Sequence, residues 1–176
     1  SDIELPPETS RQLLEMIATQ AARLTEVTES VLLAGRLDRG EIDVEKTRVD
    51  VDELVDQTVG ALEAGLPPSV AIERRLGAAG AGLGDANRLQ QVLINLIDNA
   101  VKFSPDGGTV AVRTSRADGT IVVEIVDEGA GIAAADHARI FEKFYRSASS
   151  DRLAPGGTGL GLYICRELVE RMGGRI

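Results

Sequence analysis

The sequence predicts an α+β protein, a two-layer α/β sandwich preceded by a long helix. Residues 9–37 contain no proline and a single glycine, which is typical of one long helix. From about residue 47, short apolar or alternating runs typical of strands are interleaved with helical periods. Two of these runs flank "ADG", a hairpin turn pattern, which favours a mostly antiparallel sheet covered by helices on one face.

The first helix carries a narrow apolar stripe whose steps alternate between three and four residues, as in a heptad seam. Its members are Leu14, Ile17, Ala21, Leu24 and Val31, with Thr28 in the remaining slot. We expect Thr9 or Ser10 to cap the helix, and Gly40 lies just past its end. The stripe either packs on its own domain or forms one arm of a helical hairpin or dimer. The polar flanks favour the hairpin or dimer.

The remaining elements are predicted in chain order. Strands are expected at 47–51, 70–76, 108–116 and 120–127, and helices at 52–65, 85–104, 134–145 and 159–174. Asp52 is expected to open the first of these helices and Gly65 to close it. Pro105 is expected to stop the second helix, and Gly173 to end the last. The Ala/Gly run at 77–82 is predicted to be a loop.

Composition excludes several classes of protein. The net charge of −9 argues against a nucleic-acid binder, and it requires any anionic ligand to be held by local cations, backbone N–H groups or a metal. A single cysteine, Cys165, excludes an internal disulfide and is most simply a packing residue. No apolar run approaches ~18 residues, so no membrane span is predicted. The sequence starts at Ser1 without Met, so we expect a piece of a longer protein.

The helix predicted at 85–104 has an unusual polar face. On a helical wheel the apolar side chains share one face, namely Leu89, Leu93, Leu96, Ala100 and Phe103. The opposite side carries Gln91, Asn95, Asn99 and Lys102. Asn is a poor helix former, so two of them four residues apart indicate a use. Amide oxygens suit Mg²⁺ and a lysine suits a phosphate, although an ordinary solvent-exposed polar face remains an equal alternative from this helix alone.

Two glycine-rich stretches follow. "DEGAGI" places Asp127 at a strand end, where its carboxylate can accept from an exocyclic amine, and Gly129 and Gly131 let backbone approach a flat ring. "GGTGLGL" leads into a helix, whose first N–H groups form a phosphate site. Each glycine taken alone could be a tight turn. The row of amide side chains on the helix (the amide row), the Asp127 carboxylate and the glycine-rich start of the last helix together predict a purine nucleotide bound with Mg²⁺.

Four stretches in this order resemble the sequence boxes of sensor histidine kinases. "LQQVLINLIDNAVKFSP" resembles the N box, "DEGAGI" the G1 box, "IFEKFYRS" the F box and "GGTGLGL" the G2 box. The resemblance covers roughly residues 85–173, and the flanking elements fit from about 47. It implies the Bergerat ATP-binding fold, of GHKL type, which is shared with gyrase, mismatch-repair and chaperone ATPases.

The resemblance also implies roles for individual residues. Asn95 is the first choice for the Mg²⁺ ligand, Asn99 would support metal and phosphates, and Lys102 would contact phosphate. The nucleotide would also contact Asp127, Gly129, Gly131, Ile132, Tyr145, Arg146, Gly157, Thr158, Gly159, Leu160, Gly161 and Leu162. Asp127 would read adenine, and Arg146 would face the γ-phosphate. Residues 147–156 would form a mobile lid, and Phe141 and Phe144 would pack against it.

Three departures from the family pattern matter. The family phosphorylates a histidine in an "H-E-x-x-x-P"-like motif, but the one histidine here, His137, lies outside any such motif. We therefore expect residues 1–46 to be the second helix of a dimerisation hairpin with its linker, without the first helix. The family continues with another strand after "GGRI", so we expect 47–176 to be the catalytic domain with its last strand truncated. Gln91 stands where ATP-hydrolysing relatives carry a Glu base, so fast intrinsic hydrolysis is not expected.

The predicted function is transfer of the ATP γ-phosphoryl to a histidine outside this chain, and then to an Asp of a response regulator. Implied partners are ATP with Mg²⁺, a receiver domain and a second copy through the hairpin, with no nucleic acid. The resemblance implies a cytoplasmic location, as the cytoplasmic part of a membrane-bound sensor. One alternative is a non-catalytic nucleotide-binding or dimerisation module. A serine kinase of the anti-sigma-factor type is disfavoured, because that group lacks the F box and the preceding helix.

Overall fold

The computed structural model describes residues 6–104, 106–147 and 157–176. Its elements are α1 (Pro7–Asp38), β1 (Thr47–Asp50), α2 (Val51–Glu63), β2 (Val70–Arg75), β3 (Ala81–Gly84), α3 (Ala86–Lys102), β4 (Gly108–Ala117), β5 (Thr120–Val126) and α4 (Gly161–Met172). The predicted α+β class with a long first helix is confirmed. Among the described residues, no helix is both long and apolar enough to cross a membrane.

The first helix begins earlier than the sequence predicted. Pro6 occupies its N-cap position and no side chain caps it, so Thr9 and Ser10 both lie inside the helix. Pro7 at the first helical position explains the early start, because its fixed φ suits a helix and its missing N–H costs nothing there. The α1 stripe is exposed, with Leu14 at 65% and Leu24 at 66%.

The strands form two small sheets. In the larger one, β4 lies between β2, which is parallel to it, and β5, which is antiparallel. The β4–β5 turn is the predicted hairpin, with positive φ at both Asp118 (50°) and Gly119 (78°), as a two-residue type I′ turn requires. The second sheet pairs β1 with β3 antiparallel, from Thr47 opposite Gly84 to Asp50 opposite Ala81.

The strand β3 corrects the sequence prediction, which placed a loop over part of it. Alanine and glycine have low strand propensity, so the pattern gave no signal. The strand exists because its backbone pairs with β1 and passes close to β5. A Cβ on Gly82 would lie 2.7 Å from Ile121 Cδ1. Arg116 also donates hydrogen bonds to the carbonyl oxygens of Ala79 and Ala81.

Helix α2 is capped by Asp50 rather than opened by Asp52, because the Asp50 side chain accepts from the Glu53 N–H at 3.1 Å. Asp52 organises the loop before β3 instead. Its carboxylate accepts from the backbone N–H groups of Gly77, Ala79 and Gly80 at 2.8–3.2 Å, and from the Thr114 hydroxyl. Burial raises the pKa of Asp52, but the Thr114 hydroxyl and these N–H groups together lower it below its usual value.

Two apolar clusters hold the fold, and α3 contributes to both. Val92 packs with the C-terminal end of α1 and with α4, in a cluster that includes Leu37, Leu160 and Leu168. Leu93, Ile97 and Ala100 face the sheet and α2. The helix is therefore apolar on two sides, wider than the single predicted face. Cys165 is fully buried in the first cluster, as predicted, and burial raises the pKa of its thiol to about 12.

The segment predicted to be helical at 134–145 is a series of turns instead. The N–H groups of Arg139 and Glu142 bond to carbonyls three residues back, and only Ile140 reaches four residues back. Phe144 then adopts a left-handed φ of 61°, which a continuing helix does not allow. By contrast α4 ends at Gly173 in the left-handed conformation, as predicted. Pro105 and residues 148–156 lie outside the described part.

Candidate functional site

A cavity of about 1320 Å³ lies between α1, α3, the loop after β5, the turns up to Ser147 and the start of α4. It is lined by most of the predicted site residues, namely Gln91, Asn95, Asn99, Lys102, Asp127, Gly131, Ile132, Tyr145, Arg146, Gly157, Thr158, Gly159, Gly161 and Leu162. Gly129 lies behind the lining. Leu160 is fully buried, with its side chain in the first apolar cluster.

Asn95 joins helix α3 to the start of α4. Its Nδ2 donates to the Gly161 carbonyl oxygen at 3.3 Å. A Cβ added at Gly161 would lie 2.6 Å from Asn95 Oδ1, so only glycine lets the amide approach this closely. With Nδ2 used as a donor, the Oδ1 lone pairs are the part of this amide that suits a cation.

Asp98 also lines the cavity, between the two asparagines in sequence, and was not predicted as a site residue. Burial raises the pKa of its carboxyl. Lys102 opposes that shift, and Glu26 of α1 adds to it. The sequence offered a weak signal, because a carboxylate inside an amide row is a natural neighbour of a cation. The cavity thus holds acidic and basic groups along one helix face.

The loop after β5 is shaped by two short hydrogen-bonded turns. Asp127 Oδ1 accepts from the Gly129 N–H at 2.9 Å. A Cβ on Gly129 would lie 2.3 Å from the Phe103 carbonyl oxygen, so this glycine lets the loop pack on the end of α3. His137 Nε2 lies 3.0 Å from the Ile132 carbonyl oxygen. These contacts hold the Asp127 carboxylate and the exposed Ile132 side chain at one end of the cavity.

The turns before residue 147 place Tyr145 and Arg146 at the cavity. The Tyr145 hydroxyl donates to Asp136 Oδ1 at 2.6 Å, and the Arg139 guanidinium lies 4.2 Å from the centre of its ring. The hydrogen bond to Asp136, helped by burial, raises the pKa of Tyr145. Arg146 donates from Nη1 to the Gly157 carbonyl oxygen at 2.6 Å. Arg146 therefore bridges to the glycine loop.

Phe144 and Gly159 meet backbone to backbone beside the cavity. The Phe144 N–H donates to the Gly159 carbonyl oxygen at 3.0 Å, and both residues have positive φ, 61° and 68°. A Cβ on Gly159 would lie 2.7 Å from the Phe144 carbonyl carbon. The Phe144 side chain is 66% exposed. Its predicted partner, the lid, falls mostly on residues outside the described part, so that role stays a prediction.

The glycine loop presents the N-terminus of α4 to the cavity. Within the described part of the chain no side chain caps this helix, and Gly161 and Leu162 in its first turn line the cavity. The Thr158 hydroxyl accepts from the Leu160 N–H at 3.2 Å and fixes the entry to the helix. Uncapped N–H groups together with the helix dipole attract an anion.

Carboxylate and thiolate clusters do not account for a metal here. Within residues 6–104, 106–147 and 157–176, no group of three His, Cys, Asp or Glu side chains could hold an ion. A cation in this cavity would therefore not be held by a cluster of such side chains, and the amide oxygens of the lining and oxygens of its own ligand are available to it. Such a donor set suits Mg²⁺, which is commonly bound by few protein groups together with substrate phosphates.

Helix α1 forms one wall of the cavity, which the sequence did not predict. Its contribution comes from Thr19, Ala22, Arg23, Glu26, Val27, Glu29, Ser30 and Leu33. These residues are spread over four turns and carry no local motif. Their role depends on how α1 docks on α3 and α4, which no sequence pattern encodes.

Residues 84–176 match the family of histidine kinase-, DNA gyrase B-, and HSP90-like ATPases. The chain belongs to this family. It is similar to the sensor-like histidine kinase SenX3 of Mycolicibacterium smegmatis, with 31% identity over 171 residues, covering 97% of this chain and 44% of that protein. SenX3 of Mycobacterium tuberculosis strain H37Rv is 33% identical over 96% of this chain and 42% of its own length. The chain thus spans less than half of these relatives.

Solved histidine kinases share the fold. Full-length ShkA in complex with AMPPNP superposes with a TM-score of 0.80 and 29% identity, over 98% of this chain and 36% of that one. The mycobacterial sensor histidine kinase MprB gives a TM-score of 0.63 and 30% identity, over 73% of this chain and 81% of that one. The chain is therefore an ATP-binding module of the histidine kinase type.

Proposed function

We propose that this chain serves a two-component sensor kinase by transferring the ATP γ-phosphoryl to a histidine outside this sequence, from which it passes to an Asp of a response regulator. The observation that carries the proposal is the cavity itself. It collects an amide row, a carboxylate at a strand end, the cationic side chains of Lys102 and Arg146, and the N-terminus of α4. The resemblance of the fold to ShkA, which was solved with an ATP analogue, supports the same occupant here.

The adenine end would lie at Asp127. A carboxylate at this position accepts from an exocyclic amine, and adenine offers one. Gly129 and Gly131 carry no side chains that would obstruct the adenine ring, and Gly131 needs its positive φ of 68° to turn the loop. Ile132 would supply apolar contact to the ring, since its side chain is half exposed at the cavity.

The phosphate end would lie between Lys102, Arg146 and the glycine loop. Lys102 and Arg146 bring positive charge into a chain whose net charge is −9. Gly157, Thr158 and Gly159 offer backbone N–H groups there, with the first turn of α4 behind them. Phosphoryl transfer needs chiefly positioning and charge neutralisation, and these groups provide both.

Mg²⁺ fits the residues present, because Asn95 and Asn99 both line the cavity and offer amide oxygens. Asn95 would be its ligand, with Asn99 in support. The ion would offset the charge of the phosphate oxygens. Gln91 lines the same face but cannot take a proton from water at neutral pH. Bound ATP would then wait for the acceptor histidine rather than be hydrolysed.

We assign residues 1–46 to the second helix of a dimerisation hairpin with its linker, and residues 47–176 to the catalytic domain. The exposed stripe of α1, which includes Ile17 at 63% and Val31 at 47%, supports pairing with further helices in a dimer. A receiver domain would be the second protein partner. The location would be cytoplasmic, with any membrane anchor in parts of the protein outside this sequence.

The test uses a longer form of the protein that carries a histidine helix before α1. With γ-labelled ATP and Mg²⁺ we expect label on histidine, recognised because phosphohistidine is labile in acid and stable in base. Asn95→Ala in the same protein should remove the label. Binding of Mg·ATP without any histidine label would contradict kinase activity and favour a non-catalytic nucleotide-binding module.

A further inference from the structure

Asp38, the last residue of α1, contacts two side chains that belong to the segments forming the nucleotide site. The Asp38 carboxylate accepts a hydrogen bond from the Tyr163 hydroxyl at 2.6 Å and forms an ion pair with the Lys143 ammonium. These partners lie 125 and 105 residues further along the chain. Asp38 is thus a long-range contact between the first helix and the ATP-binding part.

Lys143 belongs to the turns that carry Tyr145 and Arg146 into the cavity. It directly precedes Phe144, whose backbone N–H is bonded to the Gly159 carbonyl oxygen at 3.0 Å. Two residues beyond Phe144, Arg146 holds the Gly157 carbonyl oxygen at 2.6 Å. A displacement of Lys143 would therefore move Arg146 and the glycine loop together.

Tyr163 belongs to the other half of the same structure. It lies in the first turn of α4, two residues after Gly161, whose carbonyl oxygen accepts from Asn95. The Lys143 ammonium also lies 4.7 Å from the centre of the Tyr163 ring. Asp38, Lys143 and Tyr163 therefore form one cluster that clamps the turns before residue 147 to the start of α4.

The charges of this cluster support a fixed arrangement. The hydrogen bond from Lys143, followed by that from Tyr163, holds the pKa of Asp38 below its usual value, and Asp38 raises the pKa of Lys143 in return. Burial and the bond to Asp38 raise the pKa of Tyr163. At neutral pH the cluster is a carboxylate, an ammonium and a neutral phenol, which is the state in which all three contacts form.

We propose that Asp38 is a positioning residue for the phosphate half of the nucleotide site, acting through Lys143 and Tyr163. The proposal rests on the proposed function, since it assigns Asp38 a role in ATP binding. Among the described contacts, Asp38 bonds to no group of the adenine half, where Asp127 accepts from the Gly129 N–H and the Ile132 carbonyl oxygen lies against His137. Loss of the Asp38 carboxylate should therefore weaken the binding of ATP and leave the binding of adenosine unchanged.

Docking of α1 does not depend on Asp38 alone. Arg171 of α4 donates to the carbonyl oxygens of Leu37 at 2.6 Å and Ile42 at 3.3 Å, and Leu37 is buried in the first apolar cluster. A change at Asp38 should therefore leave the helix in place. This separates a positioning role from a general loosening of the contact between α1 and α4.

The test compares Asp38→Asn, Lys143→Met and the double variant with the wild-type chain. Amide resonances would follow titrations with Mg·ATP and, separately, with adenosine. Each single variant should lower ATP affinity about two- to fivefold, the range expected for a partly exposed ion pair. The loss in the double variant should be smaller than the product of the two single losses, because both changes remove the Asp38–Lys143 ion pair. Adenosine affinity should not change.

Glu41→Gln is the matched control, because Glu41 forms a comparably exposed ion pair with Arg39 just beyond α1, away from the cavity. It should bind both ligands as the wild type does. Unchanged ATP affinity in Asp38→Asn, or an equal loss for ATP and adenosine, would overturn the positioning role. A wild-type chain that binds no Mg·ATP would overturn the proposed function and this inference with it.

Discussion

Asn95 and Gly161 are tied across the nucleotide site, with Asn95 Nδ2 donating to the Gly161 carbonyl oxygen at 3.3 Å. The two residues are 66 positions apart, on the amide row of α3 and in the first turn of α4. This contact brings the proposed cation ligand to the proposed phosphate loop. The geometry of the site therefore depends on the absence of a side chain at residue 161.

Replacing Gly161 by alanine should damage the site. The new Cβ would lie 2.6 Å from Asn95 Oδ1, so the asparagine would have to move from its present place. Overpacking of this kind costs about 1–3 kcal/mol in the free energy of unfolding. Because the displaced side chain is the proposed cation ligand, we also expect Mg·ATP affinity to fall about fivefold or more. Calorimetric titration of the variant and of the wild type with Mg·ATP measures the change in affinity.

Gly60→Ala is the control for that variant. Gly60 also lies in a helix, and a Cβ there would meet nothing within 4 Å. Alanine should bind ATP as the wild type does, with a small gain in stability from its helix propensity. Equal ATP affinity in Gly161→Ala and the wild type would contradict the proposed geometry.

Asn95→Ala tests the cation ligand. Removing the amide oxygen should lower Mg·ATP affinity by at least about tenfold, the scale of losses when metal-site groups are removed. Binding of ATP without Mg²⁺ should change less. Asn87→Ala provides a control on the same helix, because Asn87 is exposed and does not line the cavity. The assignment fails if Mg·ATP binds both variants equally well.

Asp52→Asn should destabilise the fold, since the amide cannot accept all the hydrogen bonds that the carboxylate accepts from three N–H groups and the Thr114 hydroxyl. We expect a loss of about 1–3 kcal/mol in the free energy of unfolding, measured with urea at neutral pH. Asp56→Asn, one turn later on α2, removes only a partly exposed ion pair with Arg74 and should cost less than about 1 kcal/mol.

The same carboxylate gives a pH dependence with a definite sign. Because the folded state lowers the pKa of Asp52 from its usual 3.8, its contribution is complete above that value and is lost as the pH falls through the folded-state pKa. The stability difference between the wild type and Asp52→Asn should therefore shrink on acidification below about pH 4. A difference that grows in acid would show that the carboxylate is not stabilised by folding.

Gln91→Glu should increase ATP hydrolysis. Gln91 lines the cavity one turn before Asn95, and its Oε1 accepts from Arg88 at 3.5 Å. A carboxylate there can take a proton from water, and general bases contribute about 10²–10⁴-fold when well placed. We expect at least a tenfold rise in phosphate release over a slow wild-type rate. Gln90→Glu, beside it but not in the lining, should leave the rate unchanged.

We expect that this chain does not phosphorylate itself. His137 is the one histidine in the sequence, and its Nε2 lies against the Ile132 carbonyl oxygen at 3.0 Å, in a loop beside the proposed adenine end. After incubation with γ-labelled ATP we expect no acid-labile label. Label that disappears in His137→Gln would show that the acceptor lies within this chain.

Much of the fold follows from local signals. The long helix, the Asp118–Gly119 turn and the Gly173 end of α4 were predicted because each depends on residues that favour one backbone conformation. The strand β3 was missed, because its pairing with β1 and not its composition creates it. The turns at 134–145 were mistaken for a helix, because their apolar spacing resembles a helical period.

For the site as well, some residues could be predicted from local signals in the sequence and others could not. The amide row and the glycine loops were visible because their residue types are unusual for their positions. The wall formed by α1, the inclusion of Asp98 and the Asp38–Lys143–Tyr163 cluster depend on contacts between residues far apart in the chain. Asp38 ends an ordinary helix and Lys143 is one exposed cation among several, so neither stands out in the sequence.

The central claim is a nucleotide site that depends on a metal, and titration of the purified chain with ATP, with and without Mg²⁺, tests it most directly. Calorimetry should show micromolar binding that weakens strongly when Mg²⁺ is removed. Such a result would support the assignment of the cavity to Mg·ATP. Absence of heat and of any saturable binding at millimolar ATP, from a chain that is folded by circular dichroism, would contradict it.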